Sequence, residues 1–207
     1  MRNEEERQKI DPSYLTRVQT EVKASTRANL IEWLIDIHRG FHLVPETLYI
    51  TVFILDSYLA KKKVRKSQLH VICVASLLIA QKYEEIFFPK LNEILDVCDN
   101  KFTHSKVVAM EHDILFTLQF DVTTPSAYRF LERFFHMCFG KEGNRRIFFF
   151  AQFIIEITML EASMLSYNRS EIAAAALILA NKRLGTTNTN IWTAEIEEKT
   201  GYTAQHL

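Results

Sequence analysis

The chain has 207 residues, 48% of them hydrophobic, with 25 Lys plus Arg balanced by 25 Asp plus Glu, for a formal charge of zero. Neutrality argues against a protein that wraps DNA or RNA, whose affinity rests on excess positive charge, and 5 Gly with 4 Pro leave little room for a many-turned β fold. The longest apolar stretch, Val71 to Ala80 with Ser76 inside it, is ten residues, about half of the ~20 that cross a bilayer.

The opening segment, Arg2 to Lys9, is mostly charged and lacks a signal-peptide pattern. With Ile10-Asp11-Pro12 and then Tyr14, Leu15 and Val18, it predicts a separate amphipathic N-terminal helix or arm over 1–24. Ser25 is read as the N-cap of a helix whose Leu30, Ile31, Trp33, Leu34 and Ile37 recur at three- and four-residue steps, and Gly40 stops it. Pro45 and Glu46 open a second helix, with Leu48, Val52, Leu55 and Leu59 on one stripe. The Lys61-Lys62-Lys63 run closes it, at the negative end of the helix dipole. A third helix, about Ser67 to Lys82, is apolar nearly all round, so its neighbours must wrap it. A short helix around Leu91 to Val97 follows Pro89, and Thr103 caps a fifth with Val107, Met110, Ile114, Leu115 and Leu118 inward. Val122-Thr-Thr-Pro125 breaks the pattern as a linker.

The pattern then starts again. Ser126 leads a helix carrying Phe130, Leu131, Phe134 and Phe135. Helices follow over Arg145 to about Leu160 and Arg169 to Arg183, then a loop at Asn188 to Asn190, then a helix over Thr193 to Lys199. At an offset of 100 residues, Ala75-Ser76-Leu77-Leu78-Ile79-Ala80-Gln81-Lys82 answers to Ala175-Ala176-Leu177-Ile178-Leu179-Ala180-Asn181-Lys182. Phe53-Ile54-Leu55-Asp56 likewise answers to Phe153-Ile154-Ile155-Glu156, and Thr103 to Thr203. Ungapped self-similarity of this kind means one packed unit built twice. The expected architecture is therefore all-α, two tandem five-helix units over 25–121 and 122–207. The second is expected to lack its fifth helix, read as a truncation.

No catalytic constellation emerges. There is no phosphate-binding glycine loop and no C-x-x-C among Cys73, Cys98 and Cys138. Cys73 and Cys98 fall on apolar helical faces, as buried free thiols in a reducing compartment. His38 and His42 are four apart, but without an adjacent Glu they read as a surface pair rather than a metal site. Glu84-Glu85 and Glu197-Glu198 read as exposed charge, since adjacent helical residues diverge. The expectation is a non-enzyme with no metal and no cofactor. Two features do stand out. Arg27 and Asp56 are charged where the periodicity predicts burial, and a buried guanidinium needs a fixed carboxylate. In addition, Tyr83, Phe87 and Phe88 lie within six residues at a helix exit, as an interface or as a terminus covering the unit's own core.

Together, Arg27-Ala28-x-Leu30-x-x-Trp33-Leu34, Leu55-Asp56, Ala80-x-Lys82-Tyr83-Glu84-Glu85-Ile86 and Met110-Glu111-His112-x-x-Leu115 resemble the cyclin box. Leu118-x-Phe120-Asp121-x-x-x-Pro125 and the lead-in Pro12-x-Tyr14-Leu15 resemble cyclins of the mitotic A/B type, and the likeness covers essentially the whole chain. The resemblance implies an activating subunit of a cyclin-dependent protein kinase. Such a subunit grips the kinase αC helix and turns it inward, so that the αC glutamate meets the lysine on the ATP phosphates. It implies kinase contacts at Lys82 and Glu111, as polar anchors, and at Tyr83, Ile86, Leu115, Phe120 and Val122, as an apolar seat. Arg27 and Asp56 match the family's internal ion pair.

The resemblance also implies a patch that recruits substrates or inhibitors bearing an Arg-x-Leu motif, mapped here to Thr26, Asn29, Leu30, Trp33, Asp36, Leu69 and His70. Thr26, Asn29 and His70 depart from the family's usual methionine, isoleucine and glutamine, so weakened docking is expected. An intracellular protein of the nucleus and/or cytoplasm is implied, with no nucleic-acid or membrane partner. The alternatives are a general transcription initiation factor with twin repeats, which wants a basic face and a zinc ribbon, and a helical scaffold with no kinase.

Overall fold

In a computed structural model, residues 2–98, 101, 103–140, 143–185 and 191–207 are described. The helices in chain order are α1 (Arg2–Arg7), α2 (Tyr14–Arg17), α3 (Ala24–Gly40), α4 (Pro45–Lys61), α5 (Leu69–Glu84) and α6 (Leu91–Val97). They continue as α7 (His104–Thr117), α8 (Ala127–Phe139), α9 (Arg145–Leu160), α10 (Arg169–Leu184) and α11 (Ala194–Thr200), with 3-10 turns at Lys66–Gln68 and Ala162–Ser166. No strand occurs among the described residues. The chain divides into two compact units, Ile10–Thr124 with Met159–Ser166, and Met1–Lys9 with Pro125–Thr158 and Tyr167–Leu207. The leading segment is thus divided at Lys9 between the two.

The first unit is organised around α5. Every residue from Val71 to Gln81 is buried, as a helix without a polar face requires. α4 and α7 pack against it, and α3 closes the unit with Leu30, Ile31, Leu34 and Ile37 inward. The helix ends reflect local chemistry. Pro45 sits in the first turn of α4, where its missing N–H is no loss. Thr103 caps α7 by accepting from the Lys106 N–H. One expected cap is corrected: α3 starts at Ala24, with extended Lys23 ahead of it, so Ser25 lies inside the first turn. That earlier start lets the Arg27 N–H reach the Lys23 carbonyl at 3.0 Å, fixing Arg27 in helical backbone.

The second unit repeats the plan with less cover. Ser126 caps α8 through the Arg129 N–H at 3.0 Å, and α8 packs on α10. α10 buries Ala173, Ala174, Ala176, Leu177 and Ala180, but Leu179 is 54% exposed where its counterpart Ile79 is 5% exposed. The second central helix is thus less completely wrapped than the first. In the first unit α7 covers α5, whereas 203–207 form only one turn, its His206 N–H donating to Thr203 Oγ1 at 3.2 Å. Thr203 thus opens a turn as Thr103 does. α1 belongs to this unit through Glu5, whose buried carboxylate accepts from the Ser170 N–H and Oγ–H, both at 2.7 Å. A carboxylate at the start of α10 satisfies an otherwise open N–H and suits the helix dipole. The loop expected at Asn188 to Asn190 lies outside the described residues.

Candidate functional site

The buried charge in the first unit is a closed network. Arg27 donates through Nε and Nη2 to the two carboxylate oxygens of Asp56, both at 2.7 Å, with each side chain 1% exposed. Tyr14 Oη–H adds a third bond to Asp56 at 2.8 Å, and Arg27 Nη1 donates to the Met159 carbonyl at 2.7 Å. Burial alone would drive the guanidinium toward losing its proton; the charge and hydrogen bonds of Asp56, with a smaller part from Tyr14, together outweigh this and raise its pKa. Burial and the same carboxylate push the Tyr14 hydroxyl far above its ordinary range. The network joins α2, α3, α4 and the end of α9, and its charged side chains are buried, so it shapes the unit.

The open surface lies where the C-terminal end of α5 meets α7. Lys82 Nζ and Glu111 Oε1 are 2.6 Å apart, with Lys82 half exposed and Glu111 only 13% exposed. The two polar anchors therefore hold each other across α5 and α7 in the free chain. Around them the exposed apolar area is large: Tyr83 60%, Ile86 87%, Phe87 92% and Phe120 61%. Leu115 lies half-buried against the core, and Val122 is buried beneath the surface.

Phe120 is exposed on a left-handed turn. After α7 ends, Gln119 and Phe120 both adopt left-handed backbone, φ +53° and +60°, while the Phe120 N–H donates to the Leu115 carbonyl at 2.9 Å. Each such residue costs roughly 1–2 kcal/mol without a glycine, and strain of this kind gathers at binding sites. Phe116, not picked out from the sequence, is 60% exposed and packs edge-on to Phe120 at 5.6 Å and over His112 at 4.2 Å. Its signal was present: His112 and Phe116 lie four residues apart on the outer side of α7, with Phe120 four further on, past the helix end.

Glu85 corrects another reading. Rather than exposed charge, its Oε1 accepts from the Val44 N–H at 2.8 Å and the Thr47 Oγ–H at 2.6 Å. It caps α4 from the end of α5, so the segment that displays Ile86 and Phe87 is tied down. His38 is likewise no surface residue. It is buried, and its Nε2 lies 2.9 Å from the Val44 carbonyl, which can only accept, so that nitrogen carries the proton. Among the described residues no group of three or more His, Cys, Asp or Glu side chains is placed to hold a metal ion. No described helix is long and apolar enough to cross a membrane. Cys73 and Cys98 are buried free thiols; burial raises the Cys73 thiol strongly, and pushes Cys138 up to about 12.

The second candidate patch brings α3 and the start of α5 together. The Trp33 and His70 rings meet edge-to-face at 5.2 Å and 79°. Thr26 and Trp33 are half-buried, Asn29, Asp36 and His70 are exposed, and Leu30 and Leu69 lie in the core beneath them. Partial burial, then the nearby Lys101 charge, lowers the His70 pKa and favours the neutral ring.

Two helical repeats, the first with a tethered and exposed aromatic ridge, define a tandem helical-repeat protein. Likeness to known proteins gives the family. Residues 1–123 match the cyclin N-terminal domain family, and residues 125–207 match the cyclin C-terminal domain family. The chain belongs to the cyclin family. It is 38% identical over 190 residues to rice Cyclin-B1-5 (Oryza sativa subsp. japonica), covering 91% of this chain and 41% of that protein. It is 36% identical over 209 residues to Arabidopsis thaliana Cyclin-A1-1, covering 100% of this chain and 45% of that protein. The chain thus spans less than half the length of these relatives. In fold it is similar to a viral cyclin from herpesvirus saimiri, with TM-score 0.84, 24% identity, and 97% of this chain and 89% of that one covered. It is also similar to a chain of the yeast RNA Pol II CTD kinase CTDK-1 complex, with TM-score 0.70, 15% identity, and 89% and 63% covered.

Proposed function

We propose that this chain is the regulatory, non-catalytic subunit of a cyclin-dependent protein kinase, of the A/B cyclin type. The observation that carries the reading is the exposed ridge of Tyr83, Ile86 and Phe120 beside the Lys82–Glu111 pair, set on a unit whose core is otherwise closed. A hydrophobic centre with a few polar anchors at its edge is the anatomy of a binding hot spot. Docked on the kinase αC helix, the ridge would hold that helix inward and complete the pair that grips the ATP phosphates. Lys82 and Glu111 then exchange their mutual bond for backbone groups of the helix. The patch around Trp33 and Asp36 is the site for Arg-x-Leu motifs, with an aromatic floor and a carboxylate for the arginine. A kinase regulator of this type works in the nucleus and/or cytoplasm.

The test is co-purification of a cyclin-dependent kinase on the tagged chain from cell extract, followed by phosphorylation of a histone substrate. The expected result is a bound kinase whose histone activity depends on the chain. Recovery of no kinase, or of one already as active without the chain, overturns the proposal.

A further inference from the structure

The segment between α4 and α5 is not used by the proposed kinase or docking surfaces. It reads Lys61-Lys62-Lys63-Val64-Arg65-Lys66, and all five cations are exposed while Val64 is buried. Helix-dipole stabilisation accounts for Lys61 and its neighbours only within the last turn of α4. Beyond it the backbone is extended, with φ −132°, ψ 124° at Lys62 and φ −85°, ψ 148° at Arg65.

This strip is pinned. Buried Gln19 donates through Nε2 to the Leu59 and Lys62 carbonyls at 2.6 and 2.8 Å, and accepts from the Val64 N–H at 3.2 Å. The Lys66 N–H donates to Glu21 Oε2 at 2.9 Å. Of the five cations only Lys62 has an acidic partner among the described residues: Asp113, with both oxygens at 2.6 Å. Burial works to raise the Asp113 pKa, and the bonds from Lys62 and Tyr58 outweigh it and lower the value, so the carboxylate keeps its charge. Lys61, Lys63, Arg65 and Lys66 are left as neighbouring like charges on a pinned backbone, in a chain that is neutral overall. Holding like charges together opposes folding until an anion neutralises them, and a backbone already fixed beneath them reduces the ordering cost of binding one.

We infer that the Lys61–Lys66 strip is a docking site for an acidic peptide segment, carrying clustered carboxylates or phosphates, in extended conformation. Extended chains advance about 3.3 Å per residue, so the row matches a similar run of acidic residues laid alongside it. Two features disfavour nucleic acid. Asp113 meets Lys62 and Glu21 meets the Lys66 N–H, so negative charge flanks the strip near both ends, against the broader anionic surface of a duplex. From Lys61 to Gln68 the segment carries no aromatic residue on which the bases of a single strand could stack.

The test uses the whole chain without kinase, so its outcome is independent of the kinase proposal. Fluorescently labelled hexaglutamate and a triply phosphorylated serine peptide are titrated with the wild type. They are also titrated with Lys61→Gln/Lys63→Gln/Arg65→Gln/Lys66→Gln and with a control, Arg145→Gln/Arg146→Gln/Lys182→Gln/Arg183→Gln, that removes as much charge from the second unit. The expected result is about tenfold or greater weakening for the strip variant only, together with loss of the salt dependence seen in the wild type. Should the strip variant melt before binding is read, the pair Lys63→Gln/Arg65→Gln gives the same comparison. Equal weakening by the control, no binding by the wild type, or tighter binding of oligothymidine of matched charge overturns the inference.

Discussion

Arg27 shows why a charge can sit in a core. The guanidinium fork meets both Asp56 oxygens, and Nη1 reaches the Met159 carbonyl and, at 3.5 Å, the Leu160 carbonyl, so little of its hydrogen-bonding capacity is left open. Removing either partner leaves the other charged and buried, so Arg27→Ala and Asp56→Ala should each lose about 3–5 kcal/mol in urea unfolding. Tyr14→Phe removes one bond to the carboxylate and no charge, and should lose about 1.5–3 kcal/mol. A loss for Arg27→Ala no larger than that for Tyr14→Phe would contradict the account. The pair was legible in the sequence because charge interrupted an apolar period. Tyr14 as its third member was not, since 42 residues separate it from Asp56. At the proposed docking patch, Asn29 is exposed and Thr26 half-buried, so their polarity would be felt only when a peptide covers them. An amide covered without a partner costs about 1–3 kcal/mol. Thr26→Met/Asn29→Ile should therefore tighten binding of an Arg-x-Leu peptide in calorimetry; no gain, or a loss, would show that this groove is read differently.

Among the elements, α4 depends on its neighbour for its start. Val44 supplies no capping side chain, and Glu85 from the end of α5 takes the Val44 N–H and the Thr47 hydroxyl instead. Glu85→Ala should lose about 0.5–2 kcal/mol, as loss of a helix cap does, while Glu84→Ala should lose less. Equal losses in thermal melts would show that the cap is not what Glu85 contributes. Helix positions were readable because apolar steps, prolines and threonine caps are local signals: α4, α6 and α9 start where Pro45, Leu91 and Arg145 placed them. The roles of Glu85 and Glu5 were not, because each caps a helix distant in sequence, and an isolated carboxylate looks the same whether it faces water or a helix end. The left-handed turn at Gln119 and Phe120 was hidden for a related reason, since no glycine marks it.

For the molecule as a whole, the repeat explains what the two units share and where they part. Both carry a lysine at the end of their central helix, Lys82 and Lys182, and both are exposed. Among the described residues Lys82 meets a glutamate from a following helix and Lys182 does not, and the first unit sets exposed Tyr83 and Phe120 beside that pair. The proposed kinase face is therefore a property of one repeat, although the scaffold is common to two. The most direct test is the affinity of the purified chain for a cyclin-dependent kinase subunit, compared across Lys82→Ala, Glu111→Ala and Lys182→Ala, with melting recorded in parallel. A charge-assisted bond contributes roughly 1.5–3 kcal/mol, so Lys82→Ala and Glu111→Ala should each weaken binding about tenfold or more. Their mutual pair is partly exposed and contributes about 0–1 kcal/mol to stability, so melting should shift little, and Lys182→Ala should change neither reading. Kinase binding left intact by both Lys82→Ala and Glu111→Ala, or lost equally with Lys182→Ala, would contradict the placement of the face on the first unit.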